Sequence, residues 1–212
     1  MLEALRVTGR GILQFERFGW RYIAANILAA VLSLPIITLP VAFAGLSRMS
    51  YVAQTSHTTA ISDFWAGFRT SLRRGLLIGI ANVVVFGILV VNFWSYREQN
   101  GLFFILLRTI WTIILIGWMA VQLYLWPILD AMETPTLLGG LRNAALMVSL
   151  NPFFSLTLLA IVLMIAVIST LVAALWLLIS VSLIACMANA AVLDRLPRRG
   201  KQVNQEPSQT NQ

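Results

Sequence analysis

Forty-two consecutive residues, Pro152 to Leu193, carry no charge. At about 1.5 Å of rise per residue, a single helix of that length would reach roughly 63 Å, about two crossings of a hydrocarbon core of about 30 Å. The block shows neither the alternation of a strand nor the 3.6-residue periodicity of a surface helix. It is expected to fold as a hairpin of two spans, turning between Ser169 and Ala174. In a bilayer every backbone N–H and C=O has to be satisfied inside the protein, which leaves helices as the economical solution.

Three further apolar blocks precede it. Gly75 to Tyr96 is 22 residues without a charge, and Leu102 to Leu129 has Arg108 as its only charge. The first block, Tyr22 to Leu46, is interrupted by Pro35 and Pro40. It is compatible with one kinked span. It is also compatible with two short helices, about Tyr22 to Ser33 and Thr38 to Ala53, joined through Leu34 to Ile37. Irregular backbone at membrane depth is tolerated only where protein buries it or water reaches it. Pro35, Thr38 and Pro40 therefore mark the one segment where such structure is expected.

Charge places the ends. Fourteen Arg and one Lys give a net charge of +7. The arginines fall beside the apolar blocks rather than in one stripe, which fits anionic lipid headgroups and argues against nucleic acid as a partner. They cluster in residues 1–21, between Arg48 and Arg74, and in the tail. All three regions reach the cytoplasmic side if the first block enters and leaves on that side, with both termini inside. Ala42-Phe43-Ala44 has the form of a signal cleavage site, but the long, mixed-charge segment before it argues against cleavage.

Two linkers read as interfacial helices. In 63–74, Phe64, Trp65, Phe68 and Leu72 share a face flanked by Arg69 and Arg73, with Arg74 next; in 136–148, Leu137, Leu138 and Leu141 are apolar and Arg142 edges them. Trp65, Phe68, Arg69, Arg73, Arg74 and Arg142 are thus expected to contact lipid. Gly-apolar-Arg recurs at Gly19, Gly67 and Gly140, a weak sign of a repeated elbow.

The expected fold is all-α: a polytopic membrane helix bundle with interfacial amphipathic helices. It forms one membrane domain over 1–193, with an interfacial segment 1–21 and spans near 22–46, 75–96, 102–127, 152–172 and 173–193. A disordered cytoplasmic tail is expected over 194–212.

Candidate chemistry is sparse. His57 is the single histidine and Cys186 the single cysteine, so neither a metal site nor an internal disulfide is expected. No nucleophile elbow, P-loop or dinucleotide fingerprint occurs, and no cofactor or catalysis is expected. No acidic pair lies inside a span, which argues against a carboxylate-based proton pump. Arg108 is the strongest single candidate. It has two readings: a guanidinium that snorkels to the interface towards Glu98, or a ligand or partner contact. Asn82, Asn92 and Asn151 are read as helix bridges, and Trp94, Trp111, Trp118, Trp126 and Tyr124 as belt and packing residues.

Leu34-Pro35-Ile36-Ile37-Thr38-Leu39-Pro40-Val41-Ala42 resembles the L-P-x-x-T-x-G-P-A signature of the YesL-like bacterial membrane proteins. Asp63 to Arg69 is similar to that family's aromatic-basic elbow, and Asn151-Pro152 is also similar. Leu39 stands where the family commonly has Gly, and Ser71 where Asn is frequent. The resemblance covers nearly the whole chain. It implies a bacterial cytoplasmic-membrane protein associated with carbohydrate uptake, with sugar ABC-transporter permease subunits as partners. The alternatives are a small-solute transporter or channel in its own right, lined by Pro35 to Pro40 and Arg108, and a membrane enzyme, for which acids and histidine are too few.

Overall fold

The computed structural model describes residues 2–99 and 101–203. Among them the chain is helical throughout, with no strand. The main helices are α1 (Leu2–Arg17), α2 (Gly19–Leu32), α3 (Leu39–Ser56), α4 (Ile61–Ser95), α5 (Leu102–Ala131), α6 (Leu137–Leu150), α7 (Pro152–Leu171) and α8 (Val181–Val203). Five helical stretches are long and apolar enough to cross a membrane: Ile36–Ser56, Ile61–Ser95, Leu102–Ala131, Pro152–Leu171 and Trp176–Leu196. The protein is an all-α, multi-pass membrane protein.

The first block is broken in two. α2 stops at Leu32 and α3 starts at Leu39, with a single 3₁₀ turn, Ile36–Thr38, between them. Proline is the physical reason. Pro35 has no N–H to continue α2, whereas Pro40 sits in the first turn of α3, where a missing donor costs nothing. The break is closed internally, because the Thr38 hydroxyl lies 2.6 Å from both the Leu32 and the Pro35 carbonyls. At the other end Arg21, in the first turn of α2, donates to the Thr59 carbonyl just beyond α3. The block therefore enters and leaves at one end of the bundle, so a single kinked span over 22–46 does not form.

The second elbow is not a separate helix. Residues 63–74 are the first part of α4, which runs unbroken for 35 residues. The arginines that seemed to mark a boundary are carried on a continuous rod because α3 packs against it at near-backbone distance. A Cβ on Gly67 would come 2.5 Å from Arg48 Cβ, and one on Gly75 2.6 Å from Val41 Cγ2. A Cβ on Gly79 would collide with the Ile37 carbonyl oxygen. From α3, Gly45 returns the favour to Phe64, whose ring would meet a Cβ there at 2.8 Å. Without side chains at these points, the helices gain dispersion contacts that two leucines would keep apart.

The first and last helices of the chain meet. Segment 1–21 contains α1, which docks on α8. Ala4, Val7, Thr8 and Gly11 are buried on one face, at the spacing of a helix stripe. Gly11 meets Met187 so closely that a Cβ would lie 2.8 Å from its Cα. Arg10–Asp194 (3.0 Å) and Arg195–Glu3 (2.7 Å) flank the contact. α8 continues past Asp194 to Val203, so the helix runs into the segment expected to be a disordered tail; residues 204–212 lie outside the described residues. The third span likewise runs on past 127 to Ala131, with Pro127 inside the helix. The fourth block folds back at Val172.

Beyond Gly79 the picture changes. The second half of α4 and the first half of α5 leave the bundle as an arm whose apolar side chains, among them Val83, Val90, Ile105 and Ile113, are exposed. The contrast between clamped and free halves gives a direct test. Gly79→Val should cost roughly 1–3 kcal/mol by overpacking and lower the melting temperature in detergent. Gly87→Val on the arm, where a Cβ meets nothing within 4 Å, should leave it unchanged. Equal melting temperatures for both variants would refute the close α3–α4 contact.

Candidate functional site

Three polar clusters tie the bundle together, and all three join segments distant in sequence. The first is built on Asn26, a fully buried amide in α2. Its Nδ2 donates to the carbonyls of Trp176 and Leu177, 2.8 Å each. Its Oδ1 accepts from Ser182 N–H at 2.9 Å and from the Ser182 hydroxyl at 3.0 Å. The backbone between those partners, Trp176–Ser180, is a π-helical turn. The carboxamide thus stands in the helix ladder like an extra peptide unit: it takes the Ser182 N–H and returns a donor to the Leu177 carbonyl. The Ser182 hydroxyl also reaches the Tyr22 carbonyl, although the Asn26 and Tyr22 oxygens compete for its one proton. Ser180 sits within 2.5 Å of Ser169 across the α7 turn.

The second cluster runs from α5 through α3 to α8. Ser47 donates to Asp130 Oδ2 at 2.7 Å, and Asn189 Nδ2 lies 3.2 Å from both the Ser47 carbonyl and its hydroxyl. Ser47 and Asn189 are fully buried, and Arg48 is the cation nearest in effect to the carboxylate. Asn189 Oδ1 has no partner among the described residues. Asp130 is a functional-grade residue that the sequence reading missed. Its charge ended the third apolar block in that reading, but it occupies the last turn of α5 inside the bundle. Asn189 stands alone in an apolar run, but Ser47 lies beside Arg48 and Ser50 and gives no sign of its partner.

The third cluster surrounds an open cavity of about 480 Å³ between α5, α6 and α8. Arg195 forms one wall. Its Nη1 donates to Asn151 Oδ1 at 3.1 Å, and its guanidinium lies 4.2 Å from the centre of the Phe154 ring. Asn151, expected to be a polar membrane position, thus holds Arg195 at the start of α7.

The other expected positions are placed as follows. Arg108 does not turn to Glu98, which pairs with Arg97 instead. It donates to the Tyr96 carbonyl at 2.6 Å and to the Gln99 carbonyl, so it seals the α4–α5 turn by supplying donors that the chain end of α4 lacks. Arg74 is part-buried, and its Nη2 is bound to the Pro135 carbonyl at 2.8 Å at the entry to α6. Trp65 and Phe68 are half-buried against the α2–α3 core, with Phe64 fully inside it, so this face is only partly turned outward. Arg69, Arg73 and Arg142 are exposed, and Arg69 lies over the Trp65 ring at 5.8 Å. Pro35 and Pro40 shape the tip of the α2–α3 hairpin, and Thr38 seals it. Asn82 accepts from Trp118 and Gln122, both at 3.0 Å, and bridges α4 to α5. Asn92 bonds its own helix through Ile88. His57 is exposed and ends α3 in a left-handed conformation with φ 58°. Of the three Gly-apolar-Arg triplets, Gly67 and Gly140 seat against other helices, while Gly19 meets nothing, so the triplets are not equivalent.

No family model matches the chain, and neither a curated protein nor a solved structure matches it.

The Asn26 splice makes a sharp prediction. Asn26→Leu keeps the volume but strips two carbonyls and one N–H of their partner. A loss of about 1–3 kcal/mol is expected, read as a lower melting temperature together with faster amide exchange at Ser182. For the second cluster, Asp130→Asn keeps an acceptor for Ser47 and should melt close to the parent. Asp130→Leu should melt several degrees lower, and the reverse order would refute the role of the Ser47 bond.

Proposed function

We propose that the chain is a non-catalytic accessory component of the bacterial cytoplasmic membrane, linked to carbohydrate uptake, and that it docks on permease subunits through the α4–α5 arm. The observation that carries this reading is the arm itself. From Gly79 to Ser95 the helix extends about 24 Å beyond its contacts with α3. Its outward face offers exposed apolar residues around Gly87, over which there is open space. A partner helix can approach closely at such a small residue, and helix association in lipid depends on that approach. The carbohydrate link rests on the resemblance of Leu34–Ala42 and Asp63–Arg69 to the YesL-like proteins. The Arg21–Thr59 bond supports an even number of crossings, with both termini cytoplasmic, since it joins the two ends of the α2–α3 hairpin.

A solute path would have used Pro35 to Pro40 and Arg108. Thr38 and the Arg108 Nη2 are bonded to neighbouring carbonyls, and the cavity beside the hairpin tip is mostly apolar, lined by Ala29, Leu39, Phe43 and Trp176 with Ser33 among them. The accessory reading is therefore the better supported of the two.

Mild-detergent affinity purification from native membranes, followed by mass spectrometry, tests it. Sugar-permease subunits are expected at near-stoichiometric yield. Gly87→Leu should release them while the melting temperature stays that of the parent. A monodisperse, partner-free preparation of the unaltered chain would sink the proposal.

A further inference from the structure

The cavity beside Arg195 lies where three membrane-crossing helices reach a common level. α5 ends at Ala131, α7 begins at Pro152, and the last apolar stretch ends at Leu196. All three ends border the cavity or lie next to its lining, and α6 closes its side. Ends of apolar spans are where a chain passes from hydrocarbon to headgroups. The cavity's volume of about 480 Å³ falls in the range of sites that take a small ligand, roughly 300–1,000 Å³.

Its lining mixes two chemistries. Arg195, Asn143 and Asn151 share the lining with Met132, Met147 and Leu150. The Arg195 side chain is only 17% exposed, and a charge so covered calls for more than one weak partner. Glu3, half-exposed, takes one terminal nitrogen from the water side, and Asn151 takes the other. Arg195 Nε is buried and has no partner among the described residues. The only partner the Asn143 amide finds among them is the Met132 sulfur, 3.9 Å away, a weak acceptor. An arginine and an under-used amide thus share one cavity lining with methionine and leucine. Methionine is the side chain best able to follow a flexible chain.

We propose that this cavity binds one anionic phospholipid, its phosphate held by Arg195 and Asn143 and an acyl chain lying along Met132, Met147 and Leu150. Arginine suits a phosphate because its planar fork offers parallel donors. The apolar part of the lining distinguishes a lipid from a free anion, which would gain nothing from it. Bound there, the lipid joins α5, α6 and α8 at the same level as the Arg195–Asn151 bond.

The full chain, purified in mild detergent and delipidated, is titrated with phosphatidylglycerol or phosphatidylcholine and read by native mass spectrometry. Phosphatidylglycerol is expected to bind at one site at least about tenfold more tightly, because the choline cation of phosphatidylcholine cancels the headgroup's net charge beside Arg195. Arg195→Gln should remove that preference. Ala131→Trp, which fills the cavity and leaves Arg195 with Glu3 and Asn151, should weaken binding by a similar factor at an unchanged melting temperature. Should Arg195→Gln fail to fold, Ala131→Trp and the discrimination between the two lipids still decide the matter. Equal binding of the two lipids would overturn the proposal, as would unaltered binding in Ala131→Trp. Displacement of phosphatidylglycerol by inorganic phosphate alone would also overturn it, because it would show a site for a free anion.

Discussion

Four interruptions of the helices in this protein are each closed by a side chain that supplies what the backbone has lost. In a bilayer an unpaired N–H or C=O has no water to turn to, so a break is permitted only where it is sealed. Thr38 covers the carbonyls at the α2–α3 break, and Arg108 covers those at the α4–α5 turn. Asn26 supplies both donor and acceptor to the π-turn before α8. Asp63 accepts the Ala60 N–H at 2.8 Å ahead of α4. The bundle can have its hairpins because four polar residues occupy these four places.

The seals do more than satisfy local bonds. Three of them act at short range, but Asn26 reaches across more than 150 positions in sequence, from Asn26 to Ser182. Its loss would free α2 from the last helix as well as expose the π-turn. The Ser47–Asp130–Asn189 chain works in the same way between α3, α5 and α8. In an apolar solvent the hydrophobic effect no longer sorts one helix contact from another, so such pairings and the glycine contacts of α3 and α4 decide which helices become neighbours.

How much of this was legible depends on what kind of feature carried it. Unbroken apolar runs report spans through length alone, and Pro35 with Pro40 reported the break between α2 and α3. Packing between helices leaves a fainter trace. Arg69, Arg73 and Arg74 before an uncharged run suggested a boundary at Gly75, whereas that glycine is a contact point inside α4. The stripe that could have shown it, Gly67, Ser71, Gly75 and Gly79 at every fourth position, is visible once read as a small-residue face. Asn26 and Asp130 were illegible for another reason. A lone amide or carboxylate in or beside an apolar run gives no hint of its partner when that partner lies far along the chain. Arg108 was recognisable as a residue that must reach polar atoms, but which atoms it reaches depends on the turn that folds back towards it.

The unbroken course of α4 has a mechanical side. Between Gly67 and Gly79 the helix is held against α3 over about 18 Å, and beyond that it runs free for about 24 Å. Such a rod is a lever with its fulcrum at Ile37, and its free arm is longer than the clamped one. A small rocking of α3 would be delivered, magnified, at Trp94 and the turn that Arg108 seals. A load applied to the arm would in turn be felt at the loop where Arg21 meets Thr59. The two faces of the membrane are joined here by one continuous piece of backbone.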